Sequence, residues 1–243
     1  MLAIEDANAL GMDLIEWHIK STTKASQGLY EYDAVTRLRD SQLGDERVKD
    51  ISNYIKKGKL WDAFESEEQV VLLVDEIDKA FAGAQSSGDS GTTSRVLATF
   101  ITWLSEKTSP VFVVATANNI DWIPPEILRK GRFDEIFFVN LPSTEERIQI
   151  FNVFLTRLRP ENSTNFDLEL LSSKSQGFSG AEIEQAIVEG MFKAFNEKRE
   201  FTTLDIVYGL SQIIPLSKLD PDRTQKLQEW ALSGRVRLAS KSI

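Results

Sequence analysis

The chain has 243 residues, no cysteine, 42% hydrophobic and 27% charged residues. That composition supports one large or two small cores and excludes disordered, collagen-like, disulfide-stapled and thiolate-metal classes. With 28 basic against 37 acidic residues the net charge is −9, so non-specific attraction to nucleic acid or anionic membrane is not expected, and no run approaches the ~20 apolar residues of a membrane span. The start, Met1 to Asp6, lacks the basic and then apolar stretches of a signal peptide, and a cysteine-free chain suits a cytoplasmic or stromal compartment.

In chain order, Leu14 to Ile19 alternates apolar and polar at period two, the pattern of a half-buried strand. Val48, Ile51 and Ile55 fall on one helical face, and Val96, Leu97, Phe100, Ile101 and Leu104 form a second apolar stripe. Val70 to Val74, Val111 to Ala115 and Ile136 to Val139 are unbroken β-branched or aromatic runs, as in strands covered on both faces. Gly83 to Thr93 reads as a mobile Gly/Ser-rich loop. This alternation predicts an α/β domain over residues 1–142 with a mostly parallel, three-layer sheet.

Beyond Pro142 the pattern becomes one of capped helices. Ser143 with Glu146, and Ser179 with Glu182, make capping boxes ahead of apolar stripes. Thr202 can cap a helix carrying Leu204, Ile206 and Val207, and Asp220-Pro221 can open a last one that stops at Gly234. A small all-helical domain over residues 143–243 is expected.

The apolar run at 70–74 ends in Asp75-Glu76-Ile77-Asp78. Ligands bind at the C-terminal edge of parallel strands, so both acids are expected at a crevice. In a nucleoside triphosphatase the first acid orients Mg²⁺, often through its water shell, and the second polarises the attacking water. Taken alone, the segment equally fits a core strand running into an acidic loop. The run at 111–115 leads to Asn118-Asn119, where an amide can bond both a water and a γ-phosphate oxygen, though such a pair also makes ordinary turns. Arg129, Lys130 and Arg132 then cluster around Gly131. A guanidinium there could reach a neighbouring subunit's γ-phosphate, and a solvated basic turn is the alternative.

These residues carry a resemblance. Val74 to Asp78, Ala115 to Asn119, Leu128 to Asp134 and Gly177 to Ile183 resemble Walker B, sensor 1, the arginine-finger segment and the start of the lid helix of AAA ATPases. From about residue 75 onward the chain is most similar to the AAA ATPase family of cyanobacteria and plastids. Glu16 to Ala25 and Gly28 to Gly44 resemble MoxR-type AAA+ ATPases, and both families share the stretch found here at Asp75 to Ala80.

The resemblance implies a P-loop NTPase fold with ATP and Mg²⁺ as cofactors. Asp75 would serve the metal and the nucleotide, Glu76 would activate water, and Asn118 would sense the γ-phosphate. Arg132, supported by Arg129, would act in trans, and Gly180 and Ala181 would approach the adenine. It further implies self-association into a ring, six-membered by analogy, that remodels a protein partner.

Two departures stand out. No G-x-x-x-x-G-K-[ST] loop occurs, Gly58-Lys59 being followed by Leu60, and Glu135 stands where many relatives carry arginine. The mixed resemblance and missing loop predict an N-terminally incomplete chain that begins just after that loop and joins two AAA-type segments at Asp75 to Ala80. A non-catalytic AAA scaffold is therefore the rival reading. A metal-assisted hydrolase using Asp75, Glu76 and Asp78 is a weaker third, because carboxylates without histidine make an unspecific cation site.

The remaining residues point to structure. His18 is the only histidine, which excludes a multi-histidine metal site and reads as structural beside Trp17. Ser21-Thr22-Thr23 reads as loop chemistry, Trp103, Trp122 and Trp230 as core or interface anchors, and the basic stretch Gly234 to Ala239 as a solvated tail. No motif that reads nucleic acid is visible.

Overall fold

The computed structural model describes residues 2–20, 26–84, 90–161 and 165–240. They fall into two compact units, residues 1–134 and 135–243.

The first unit runs α1 (Leu2–Leu10), β1 (Asp13–His18), α2 (Ser26–Leu29), β2 (Tyr30–Tyr32), α3 (Ala34–Leu43), β3 (Ile55–Lys57), α4 (Lys59–Glu65), β4 (Val70–Asp75), α5 (Ile77–Ala84), α6 (Ser90–Glu106) and β5 (Val111–Ala115). β1, β4 and β5 form a parallel sheet in the order β1-β4-β5. Strand side chains alternate between faces, and the two faces here have separate cores. Val71 and Leu73 pack with Ala3 and Ala7 of α1. Leu72 and Val74 pack on the opposite face with Trp17, Leu60, Phe81, Leu97 and Phe100. These are the three layers expected from the sequence, with β4 buried along its apolar length because it has a strand on each side.

Three local expectations are corrected. Residues 46–54 are not a helix face but two 3₁₀ turns, Glu46–Lys49 and Ile51–Tyr54. Asp45 and Asp50 each accept a bond from the backbone two residues on, at 2.9 Å, and those local bonds restart the chain before an α-helix can propagate. β5 is not covered throughout, since Phe112 is 52% exposed on the face that α1 covers only in part. The Gly83–Thr93 segment is helical where described, with Gly83 in α5 and Ser90 to Thr93 in α6; residues 85–89 lie outside the described residues.

The second unit contains β6 (Phe137–Phe138), α7 (Thr144–Leu158), α8 (Leu168–Lys174), α9 (Gly180–Asn196), α10 (Thr203–Gln212), α11 (Leu216–Leu219), α12 (Pro221–Trp230) and β7 (Arg237–Leu238). Both capping boxes form, with Ser143 N–H donating to Glu146 at 2.8 Å and Ser179 N–H to Glu182 at 2.7 Å. Phe151, Leu155, Leu171, Ile183, Ile187 and Ile206 close one helical core. Gly209 lets α10 approach α9, because a Cβ there would lie 2.1 Å from the Ala186 carbonyl oxygen.

Ile136 to Val139 is not a buried strand. Only Phe137 and Phe138 pair, with β7, and Phe137 and Val139 are 57% and 78% exposed. The basic tail is correspondingly not free. Arg237 N–H donates to Ile136 O and Ala239 N–H to Phe138 O, both at 2.9 Å, and Arg237 pairs with Glu135 at 3.0 Å.

Candidate functional site

The parallel register aligns Val74 with Ala115, so the chains leave β4 and β5 side by side at their C-terminal ends. Asp75 and Thr116 are the next residues, and the Thr116 hydroxyl donates to Asp75 Oδ1 at 2.6 Å. Glu76 follows in the left-handed region at φ 58°. Its N–H therefore turns away from the ladder and donates to Thr116 Oγ1 at 2.9 Å. Left-handed backbone disfavours a residue with a Cβ, and such outliers concentrate at functional sites.

The Glu76 carboxylate takes a bond from Asn118 Nδ2 at 3.1 Å through Oε1 and pairs with Lys79 through Oε2. Asp78 is buried, and accepts from the Asn118 N–H at 3.3 Å and the Asn119 N–H at 3.1 Å. It anchors the loop that presents Asn118. At 2% exposure Asp78 is closed off from an outside cation, so the hydrolase reading loses one of its three acids.

His18, read from the sequence as structural, contacts Asp75. Its Nδ1 lies 3.1 Å from Asp75 Oδ2 and its Nε2 2.9 Å from Glu16 Oε2, with the ring half exposed at the end of β1. The Asp75 carboxyl is held below the usual range, chiefly by the Thr116 hydroxyl and secondarily by His18, against the opposing effect of burial. His18 is raised above its ordinary value by its bonds to Asp75 and Glu16.

The structure thus brings Asp75, Glu76 and Asn118 together. Arg132 turns back within its own loop, donating from Nη1 to the Glu126 carbonyl, while Arg129 is exposed. No hydrogen bond or ion pair joins either arginine to the acids among the described residues. Gly180 and Ala181 begin α9 in the second unit, behind the Ser179 cap, where a Cβ on Gly180 would meet only Ile150 at an ordinary 3.9 Å. Ser21, Thr22 and Thr23 lie outside the described residues.

An ionised carboxylate is the donor a hard cation takes, and each Asp75 oxygen keeps capacity beyond its one bond. The Asp75 carboxylate therefore fits a hard cation such as magnesium. Gly58-Lys59 is no phosphate cradle, because Gly58 packs on backbone: a Cβ there would lie 2.3 Å from Gln27 O and 2.4 Å from Gly28 O. Sequence reasoning missed Thr116, Lys79 and the anchoring by Asp78. The one available signal for Thr116 was its place immediately after an apolar strand parallel to β4.

The profile of the ATPase family associated with various cellular activities (AAA) matches residues 1–141, a single match that includes Glu16 to Ala25 and Gly28 to Gly44. The chain is 58% identical over 179 residues to the AAA domain-containing protein ycf46 of Trieres chinensis, covering 74% of this chain and 36% of that protein. The ycf46 protein of Guillardia theta is 58% identical over 170 residues, 70% and 34% of the two chains. A proteasome-activating nucleotidase of Saccharolobus islandicus is 36% identical over 149 residues, 59% and 37% of the two chains. The chain spans about a third of the length of these relatives.

Proposed function

Because the chain belongs to the AAA family of ATPases, we propose that it supplies the hydrolytic acids and sensor of a Mg·ATP site at the subunit interfaces of a ring. The observation that carries this reading is the convergence of Asp75, Glu76 and Asn118 at one sheet edge. Asp75 would hold magnesium through its water shell. When bound, the metal supplies charge neutralisation at the phosphate oxygens. Glu76 would accept the proton of the attacking water, and Asn118, now bonded to Glu76, would orient that water and a γ-phosphate oxygen.

Arg132, with Arg129 in support, would leave its intraloop contact and serve a neighbouring subunit, which makes hydrolysis depend on assembly. Gly180 and Ala181, at the start of α9, would border the adenine and pass nucleotide state to the helical lid over residues 143–243. A ring of six that remodels a protein partner, in a cytoplasmic or stromal compartment, is the setting this reading implies.

A second reading has its own support. The 243 residues contain no G-x-x-x-x-G-K-[ST] loop, so the stacked N–H groups and lysine that cradle β- and γ-phosphates are not supplied by this sequence. A non-catalytic AAA module used for association would need none of them. Titration calorimetry of Mg·ATP into the chain separates the two, with Asp75→Ala as control. Saturable binding lost in the control supports the ATPase reading, and the absence of binding supports the scaffold.

A further inference from the structure

We propose that Thr116 is the positioning residue that sets Asp75 and Glu76 in their working geometry, an inference that rests on the ATPase reading above. One residue makes contacts to four successive positions of the facing chain. Thr116 N–H donates to Val74 O at 3.0 Å, and its carbonyl accepts from Ile77 N–H at 2.9 Å. Between those two backbone bonds, its hydroxyl donates to Asp75 Oδ1 at 2.6 Å and accepts from Glu76 N–H at 2.9 Å.

The hydroxyl is thus used in both directions at once, which a side chain lacking either function cannot reproduce. Its donor half orients the Asp75 carboxylate. Its acceptor half takes the N–H that Glu76 withdraws from the ladder on entering the left-handed region at φ 58°. Without that acceptor, nothing the hydroxyl supplied would offset the unfavourable backbone, and Glu76 would relax toward ordinary φ and carry its carboxylate away from Asn118. Asn118 itself lies two residues beyond Thr116, so the same short segment carries the sensor and sets the acid that the sensor touches.

The test compares Thr116→Val, which keeps the shape and removes the hydroxyl, with Thr116→Ser, which keeps the hydroxyl, both in the full chain. Amide hydrogen exchange at Glu76, read by NMR without nucleotide, is expected to accelerate about tenfold in Thr116→Val, the equivalent of one hydrogen bond, and to recover in Thr116→Ser. With Mg·ATP, turnover in Thr116→Val is expected to fall on the order of a hundredfold, as for a misplaced reacting group, with KM nearly unchanged, and Thr116→Ser recovers most of it. Unchanged Glu76 exchange in Thr116→Val overturns the proposal whatever the activity, and so does accelerated exchange with undiminished turnover. If the parent chain neither binds nor hydrolyses ATP, the ATPase reading fails by itself, and the exchange comparison alone decides whether Thr116 positions the pair.

Discussion

Glu76 Oε1 accepts a hydrogen bond from Asn118 Nδ2 at 3.1 Å, joining the acid after one strand to the amide after the next. The Glu76 carboxylate is also paired with Lys79 on the following helix. Both side chains of that pair are about one-third exposed, so removing the Glu76 charge should leave the fold intact while removing the proton acceptor. Glu76→Gln is expected to keep nucleotide binding and to lose turnover by about 10²–10⁴-fold, the usual contribution of a general base. Binding by calorimetry beside phosphate release would check this, and unimpaired release would refute the role.

The left-handed backbone of Glu76 leads to a stability prediction independent of chemistry. Both Glu76→Gly and Glu76→Ala delete the carboxylate and its partners, but alanine keeps the Cβ that disfavours φ 58°. Glu76→Gly should be the more stable of the two by about 1 kcal/mol. Chemical denaturation of the two variants measures it directly, and equal midpoints would mean that the backbone relaxes at little cost.

If Arg132 acts across an interface, two inactive chains should complement each other. Arg132→Ala retains Glu76, and Glu76→Gln retains Arg132. Mixing them creates interfaces that contain one intact copy of each group. Activity is expected to reappear in the mixture although each variant alone is silent, and a mixture as inactive as its components would place Arg132 outside the reaction.

In the second unit, Asp205 is buried at 1% exposure and accepts two bonds of 2.6 Å from Arg199, with Lys193 at 3.5 Å and the Thr202 N–H at 2.9 Å. The Arg199 guanidinium foremost, against the effect of burial, holds its carboxyl far below the ordinary carboxylate value. A depressed carboxyl stabilises the fold fully above its unfolded value of about 3.9, and that contribution declines as pH falls below it. Thermal unfolding followed from pH 6 to pH 2 should thus show a loss of stability below about pH 4 that Asp205→Asn flattens. Because Arg199 is 39% exposed, solvent screening limits the cost of Asp205→Asn at neutral pH to about 2 kcal/mol. An unaltered acid limb in the variant would assign that limb to other carboxylates.

The contact of α10 with α9 provides a steric test. Gly209→Ala would drive its Cβ to 2.1 Å from the Ala186 carbonyl oxygen, which belongs to backbone and cannot swing aside. Destabilisation of about 3 kcal/mol is expected. Circular dichroism melts would show it as a lowered unfolding temperature, and a melt like that of the parent would mean that the helices can separate freely.

What the sequence determined by itself was whatever is written locally. The apolar run at 70–74 predicts its own burial, and the Ser143 and Ser179 boxes form because their partners lie within one helical turn. Asp75, Glu76 and Asn118 could be named as candidates because each follows an apolar run that parallel pairing brings to the same edge. Local patterns failed where a short-range competitor or a distant partner decided the outcome. Asp45 and Asp50 break the helix expected at 48–55, and the two-residue pairing with β7 replaces the strand expected at 136–139.

Only the tertiary structure decided how the acids are held. The Thr116 hydroxyl reaches Asp75 across 41 residues of sequence, and His18 reaches it across 57. Both contacts depend on the register of the parallel strands, where a slip of one residue would turn every side chain to the opposite face. Residue type and spacing are compatible with either register. The register observed, with Val74 opposite Ala115, puts a hydroxyl between the two carboxyl-bearing residues.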